Sequence, residues 1–470
     1  MFAPRNDIKF AFFSLFCYIS RMSNNLKKIV LLGGDIVALY FSLYLTLAIR
    51  YWDEYAGLIW SSHFWPFTLI FILWLIIFYI SNLYNLNLAV NNLKFYQSSG
   101  RALAVAGLVS LAFFYLMPQV GIAPKRNLFI YILVFAVIFY LWRQFYNWSL
   151  KSYLPKRNIG VVGYNSLVAE IINEFKQKPH LGYNLSFIVD DKTRDDAPEI
   201  RPITELEKLI NRGKLDTVIL SSDPHQSENL RAVLFNCLRC KINYISLPNF
   251  YEAITGKVPL DNINQMWFLE NLNENNKIWF DRLKIIYDFI LALVIFIITL
   301  PFWLIIAVII KLESRGPVFF VMDRAGQNNQ IFKLIKFRTM KEEGNDHAPT
   351  RANDSRVTKF GNLLRKTRID ELPQVINILK GEMSFVGPRP ERPELAGNLE
   401  KLIPFYNQRT LVKPGLTGSD QISGQYHSPS REDSLKKLQY DLFYIKNRSI
   451  YLDLSIFLKT IATVMARQGM

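Results

Sequence analysis

Cysteine is scarce. The 470-residue chain has three, Cys17, Cys237 and Cys240. That is too few for a disulfide framework and points to a reducing environment for the soluble parts. Cys237 and Cys240 have the spacing of a redox or metal pair. No second pair or nearby His cluster accompanies them, and a buried pair on a helix is the plainer reading. Acidic residues are also outnumbered, 39 Asp plus Glu against 55 Lys plus Arg, for a net charge of +16. Such an excess suits nucleic acid, an anionic membrane surface or phosphorylated substrates. A mean hydropathy of +0.12 and long Phe, Ile and Leu runs decide for the membrane and against nucleic acid. A small-residue cleavage site is missing from residues 1–25, where Arg5, Lys9 and Arg21 surround an apolar patch. That segment reads as an interfacial lead-in helix rather than a signal peptide.

What the chain does have is apolar length. Ile29–Ile49, Phe64–Tyr84, Ala102–Met117 and Leu128–Trp148 each reach or approach a membrane span, the third being short. Lys27 and Lys28, Lys94 and Arg101, and the cluster Arg143, Lys151, Lys156 and Arg157 place both ends of this unit, residues 26–150, in the cytoplasm. Lys125 and Arg126 form the contrary loop. None of the spans shows the series of buried acids and bases that marks a transport path. An α-helical four-span bundle for anchoring or assembly is expected.

From residue 155 to 276 the pattern changes to alternating strands and helices. Strands are expected at Asn158–Gly163, Leu185–Asp190, Asp216–Ser221 and Ile242–Leu247, with helices at Ser166–Lys178 and Ile203–Arg212. This is a Rossmann-like α/β domain. Dinucleotide binding is disfavoured, because Asn165 and Val168 stand where the second and third glycines of the fingerprint belong. Asp190 and Asp191 fall where a ribose-binding acid would lie, but strand-end acids are common. A structural or regulatory domain is the better reading.

Residues 281–312 form another membrane-length run. Arg282 and Lys284 flank one side and Lys311 and Arg315 the other, so neither end looks external. Pro301 removes a helix hydrogen bond near the middle, where Thr299 or a neighbouring polar atom can take up a freed carbonyl. A bent re-entrant helix fits both facts. A kinked full span is the alternative, and it would put the C-terminal region outside.

Within residues 313–470, a strand through Lys336-Phe337-Arg338 is expected to present Lys336 and Arg338 on opposite or twisted faces. Asp370 and Glu371 precede a helix expected from the apolar spacing after Pro373, with Gly381 as its stop. A helix start favours anions and lowers a carboxylate pKa. Asp370 is therefore expected to be ionised and able to attack without a partner base, with Arg365 and Arg368 gathering phosphate oxygens. A solvated cap pair is the bland alternative. Gly387-Pro388-Arg389-Pro390 fixes the backbone around one guanidinium, as phosphate binding needs. The final apolar stretch, Tyr451 to Met465, lies on a bilayer or packs on the domain; periodicity does not choose.

The ordered set Gly316-Pro317-Val318, Lys336-Phe337-Arg338-Thr339-Met340, Asp370-Glu371-Leu372-Pro373-Gln374, Val386-Gly387-Pro388-Arg389-Pro390, Lys413-Pro414-Gly415-Leu416-Thr417-Gly418 and Tyr440-Asp441 resembles the bacterial sugar transferase family. More narrowly it resembles the large monotopic phosphoglycosyl transferases, the polyprenyl-phosphate hexose-1-phosphate transferases that initiate exopolysaccharide, capsule or O-antigen synthesis. The resemblance implies a membrane protein of the bacterial inner membrane, with its soluble domains in the cytoplasm. It joins a four-span bundle, a Rossmann-like domain and an α/β (α+β) catalytic domain built on the re-entrant helix. It also implies the chemistry: Asp370 attacks the β-phosphate of a UDP-sugar, releases UMP and passes the sugar phosphate to undecaprenyl phosphate. Glu371 matches the partner acid that helps bind Mg²⁺, and Arg389 a phosphate clamp. Lys336, Arg338, Arg365 and Arg368 are further candidates for phosphate, and Asp441 for an acid near the site.

Three positions depart from the family pattern: Leu300-Pro301, Ser419-Asp420 after Gly418, and Met322-Asp323-Arg324. None touches the acid pair. The implied partners are the UDP-sugar, the polyprenyl phosphate and the bilayer, with a homo-oligomer a possible assembly. A sensory or inactive membrane scaffold with a Rossmann-like ligand domain is the rival from another class, but it leaves the C-terminal motifs idle.

Overall fold

The computed structural model describes residues 24–51, 56–86, 91–116, 124–153, 157–177, 182–190, 200–212, 215–221, 228–240, 242–260, 263–272, 277–341, 354, 356–422 and 430–465. The lead-in segment expected at 1–25 lies almost wholly outside them. Two units separate at Leu247/Pro248. Five helices among the described residues are long and apolar enough to cross a membrane.

In the first unit the apolar runs become α1 (Asn24–Arg50), α2 (Ala56–Ile80), α3 (Leu93–Leu116) and α4 (Pro124–Tyr153). The short third run is a full-length helix because the polar stretch before Ala102 continues it. Helix α1 packs on α2 and α4, and α3 on α2 and α4. Trp74, Phe78, Tyr131, Phe135 and Phe139 fill the interior. Trp74 Nε1 donates to Ser110 Oγ at 2.7 Å, so the indole brings no unsatisfied donor into the core. One buried ion pair was not expected from the sequence: Arg143 Nη2 meets Asp35 Oδ2 at 2.6 Å. Arg143 also donates to the Leu83 carbonyl at 2.8 Å, and its guanidinium lies over the Tyr84 and Phe139 rings. The partners are 108 residues apart, and periodicity carries no trace of such a pairing.

The unit continues through β1 (Arg157–Val162), α5 (Ser166–Gln177), β2 (Tyr183–Val189), β3 (Ile200–Arg201), α6 (Leu206–Arg212), β4 (Thr217–Leu220), α7 (Glu228–Asn236) and β5 (Asn243–Ser246). The strands form one sheet in the order β3-β2-β1-β4-β5, parallel throughout. Near-continuous burial of β1 and β4 is what a sheet covered on both faces requires. Gly163 leaves β1 with φ +86°. Asn165 then accepts from Val168 N at 3.0 Å and donates to Ser221 Oγ at 3.0 Å. The residue that departs from the dinucleotide fingerprint thus caps α5 and ties it to the end of β4. Cys237 is buried, and Cys240 Sγ donates to Asn211 Oδ1 at 3.3 Å.

The second unit begins with α8 (Leu247–Thr255) and α9 (Gln265–Asn271). Strand–helix alternation gave residues 248–276 to the Rossmann-like domain. Here Val258 and Trp267 share a core with Leu438, Leu442 and Ile445. Next comes α10, Ile278–Glu313, a continuous helix of 36 residues, about 54 Å long at 1.5 Å per residue. Thr299 Oγ1 donates to Ile295 O at 2.7 Å. It does not reach the Ile297 carbonyl that Pro301 frees four residues ahead of itself. The helix touches this unit along its whole length. Near its start Asp281 pairs with Arg448 at 2.9 Å. Further on, Asp288 Oδ1 accepts from Phe385 N at 3.4 Å. Trp303, Ile306 and Ile310 pack with Phe337, Leu364 and Val375. At the end Glu313 accepts from Phe360 N at 3.0 Å. Its other face exposes Ile286, Phe289, Ile290, Ile297, Leu304 and Ile305.

After α10 come the antiparallel hairpin β6 (Phe319–Ala325) and β7 (Ile331–Phe337), α11 (Lys359–Lys366), α12 (Gln374–Leu379), β8 (Ser384–Val386), α13 (Pro393–Leu402), β9 (Gly415–Thr417), α14 (Arg431–Asn447) and α15 (Ile450–Met465). β8 and β9 pair in parallel. Gly387 must be glycine, since a Cβ there would sit 2.4 Å from the Lys413 carbonyl oxygen.

Candidate active site

The acid pair stands on a turn held from three sides. Thr358 caps α11 by accepting from Gly361 N at 2.9 Å. Arg365 on the last turn donates to Thr339 Oγ1 at 2.8 Å. Arg368 takes the left-handed conformation, φ +58°, and turns the chain into the 3₁₀ turn Ile369–Glu371. A non-glycine residue there costs about 1–2 kcal/mol, so tertiary contacts must hold it. Among them is Asn377 of α12, fully buried. Its side chain donates to Lys333 O at 2.8 Å and accepts from Ile335 N at 3.1 Å, clamping α12 to β7. This sets Lys336 opposite Glu371.

Glu371 is the hub. Its Oε1 lies 2.8 Å from Lys336 Nζ, 3.1 Å from Arg389 Nη2 and 3.7 Å from Arg368 Nη1. Burial pushes its carboxyl up, but the charges of Lys336, Arg389 and Arg368 win and hold it well below the usual carboxylate range. Asp370 is also buried, and its Oδ1 has no hydrogen-bond partner among the described residues. Its carboxyl is raised, first by burial and then by the negative charge of Glu371, against the pull of Lys336, Arg365 and Arg368. This corrects the expectation of a pKa lowered by a helix start. Helix α12 has six residues and begins beyond Pro373, too short and too late for its dipole to outweigh burial.

The loop carrying Arg389 is held through its backbone. Arg409 Nη2 donates to Arg389 O at 3.0 Å, and Arg324 Nη1 to Pro390 O at 3.2 Å. Arg409 in turn lies 2.8 Å from Asp441 Oδ2. Burial raises the Asp441 carboxyl to about 6 despite Arg409. Beside them Lys437 and Arg409 outweigh burial at Glu391 and hold it at about 2.

The structure therefore brings Asp370, Glu371, Lys336, Arg368 and Arg389 together, and Arg365 near enough for its charge to act on Asp370. Arg338 lies just past the end of β7 and donates to Ser314 O at 2.7 Å. Asp441 bears on the site through Arg409. Asn377 and Arg409 escaped the sequence reading. Both are single polar residues whose partners are distant in sequence, and neither belongs to a motif quoted above. A buried carboxylate with an unpartnered oxygen beside a fixed cluster of cations is suited to attack on, and charge neutralisation of, a phosphoryl group.

Residues 279–467 match the family model described as bacterial sugar transferase. The chain is 31% identical over 348 residues to the UDP-glucose:undecaprenyl-phosphate glucose-1-phosphate transferase of Xanthomonas campestris pv. campestris, covering 70% of each chain. The chain belongs to the bacterial sugar transferase family. The UDP-glucose:undecaprenyl-phosphate glucose-1-phosphate transferase of Escherichia coli (strain K12) is 31% identical over 326 residues, 67% of this chain and 69% of that one. The UDP-N-acetylgalactosamine-undecaprenyl-phosphate N-acetylgalactosaminephosphotransferase of Aeromonas hydrophila is 37% identical over 238 residues. That match spans 50% of this bacterial sugar transferase and 55% of the relative's own length.

Proposed function

We propose that this membrane protein transfers a hexose 1-phosphate from a UDP-sugar to undecaprenyl phosphate, through a phospho-aspartate at Asp370, as the first committed step of an exopolysaccharide, capsule or O-antigen. The observation that carries this is the buried, unpartnered Asp370 Oδ1 beside the cations gathered on Glu371. Asp370 attacks the β-phosphorus, an aspartyl O–P bond forms, and the bridging P–O bond breaks with its electron pair leaving on UMP. A phosphate oxygen of the polyprenyl phosphate then attacks the same phosphorus. The Asp370 carboxylate leaves and a lipid diphosphate sugar remains. Lys336, Arg368 and Arg389 supply positive charge where the diphosphate oxygens must sit, and Arg409 keeps the Arg389 loop in place.

Among the described residues no group of three or more His, Cys, Asp or Glu side chains is placed to hold a metal ion by itself. Mg²⁺ in phosphoryl-transfer sites takes one or two carboxylates with substrate phosphates and water. The adjacent pair of Asp370 and Glu371 fits that demand, and would hold the ion. Bound there, Mg²⁺ would neutralise charge on the diphosphate.

For topology we favour the re-entrant arrangement. Contacts at the start, middle and end of α10 all belong to one unit, and its exposed face is apolar from Leu283 to Val308 between exposed Arg282 and Lys311, which supports both ends lying on one side of the membrane with the return at Pro301. The four helices of the first unit would then span the inner membrane, and the Rossmann-like domain and the catalytic domain would face the cytoplasm.

The names of the relatives carry glucose and N-acetylgalactosamine, so the donor screen should include both sugars as UDP derivatives, with UDP-galactose. Nanodisc-embedded protein with Mg²⁺ and undecaprenyl phosphate is expected to release UMP and form lipid-linked diphosphosugar in equal amounts with one donor. UMP release without lipid product would rule the transfer out.

A further inference from the structure

A cavity of about 340 Å³ opens beside the acid pair, within the range of about 300–1,000 Å³ typical of small-molecule sites. Its two walls differ in character. The turn after α11 gives Lys366, Arg368 and Glu371. Strands β8 and β9, the chain after them and helix α15 give Phe385, Leu416, Ile422, Phe457 and Ile461. The apolar wall is well built. Phe385 and Phe457 meet edge to face at 6.0 Å, and Thr417 Oγ1 and Thr460 Oγ1 hydrogen-bond each other at 2.6 Å. Helix α15 is also tied to the membrane helix α10, through the pair Lys284 and Asp453.

We propose that this cavity is the acceptor site. Lys366 and Arg368 receive the phosphate of the polyprenyl phosphate, and the wall formed by Phe385, Leu416, Ile422, Phe457 and Ile461 holds the isoprene units next to it. This deepens the function proposed above and rests on it. The wall carries few free polar groups, Gln421 among them with a buried Oε1 that has no partner among the described residues, and the rest of it offers a nucleotide base little to hydrogen-bond. A phosphate on a branched hydrocarbon matches both walls, and the ion pair to α10 anchors α15 to the membrane helix. The arrangement also orders the reaction. With Glu371 in the cationic wall, the acceptor phosphate would arrive next to Asp370, where the sugar phosphate would wait.

The test fills the cavity and reads the two half-reactions apart. Ile461→Trp and Ile422→Trp, on different elements, are compared with the unsubstituted protein in nanodiscs. Exchange of labelled UMP into UDP-sugar without lipid reports the donor half. Turnover with undecaprenyl phosphate and with farnesyl phosphate reports the acceptor half. Filling a pocket by even a few methylenes changes such parameters by about tenfold or more. The expected result is a KM for undecaprenyl phosphate raised by about tenfold or more, with the preference over farnesyl phosphate reduced, at an unchanged UMP exchange rate and UDP-sugar KM. An unmoved acceptor KM in both variants, with exchange intact, overturns the cavity assignment alone. A raised UDP-sugar KM, or loss of exchange in both variants, assigns the space to the donor or to the fold and overturns it as well. Absence of exchange in the unsubstituted protein defeats the two-step reading itself, and the acceptor site with it.

Discussion

Asp370→Asn is expected to lower UMP release by about 10⁴-fold or more, the scale of losing a covalent nucleophile. The substitution keeps the shape and hydrogen-bonding size of the side chain but removes the anion. Asp370 is buried, and its Oδ1 has no described partner whose loss would unfold the turn. It also removes a raised, desolvated carboxyl from beside Glu371, so the fold should be no less stable near neutral pH. Sign matters here: a carboxyl whose folded pKa lies above its unfolded value favours the folded state least at high pH. The checks are UMP release with saturating donor and a thermal melt of the same preparation. UMP release close to the unsubstituted rate would remove Asp370 from the chemistry. A collapsed melt would assign it to the fold.

Glu371→Gln should have the second largest effect, a fall of about 10²–10³-fold in kcat/KM for the donor, the range seen when one preorganised charge-stabilising group is removed. Three cations converge on one Glu371 oxygen, and a neutral amide cannot hold all of them in that arrangement. The pH profile distinguishes this from a plain loss of packing. Asp370 is raised by burial first and by the Glu371 charge second. Removing that charge frees Lys336 and Arg368 to act on Asp370, and both changes lower its pKa. The acid limb of UMP release should therefore move to lower pH in the variant. Glu371 itself, held below its usual range, contributes stability that is present above about pH 4.5 and fades as pH falls; the variant should lose that dependence. An acid limb that stays in place or moves up would break the proposed coupling between the two carboxyls.

The sequence made the long elements legible because their signals are local. Apolar runs located the four helices α1–α4, although α2 and α3 begin well before their runs, at Ala56 and Leu93 rather than Phe64 and Ala102, and strand–helix alternation gave the order of β1, β2, β4 and β5. The motifs likewise carried Asp370, Glu371 and Arg389 into one family pattern. What stayed hidden depends on contacts between distant residues. The burial that reverses the direction of the Asp370 shift comes from packing around a 3₁₀ turn, not from the helix its neighbours suggest. Arg338 looks as available as Lys336 in a strand of alternating residues, yet its Nη2 is held by Ser314 at the end of α10, while its buried Nε and Nη1 have no partner among the described residues. Asn377 and Arg409 hold strands and loops far from them in sequence, as Asp35 and Arg143 do between α1 and α4. No period of 2 or 3.6 encodes such pairings.

The most direct test is to quench the protein during turnover with UDP-sugar and no lipid acceptor, then map the mass of every acidic peptide. One added sugar phosphate, labile to hydroxylamine, is expected on the peptide carrying Asp370, and it should be lost when undecaprenyl phosphate is supplied. UMP release with no such adduct, or with the adduct on another side chain, would contradict a phospho-aspartate at Asp370.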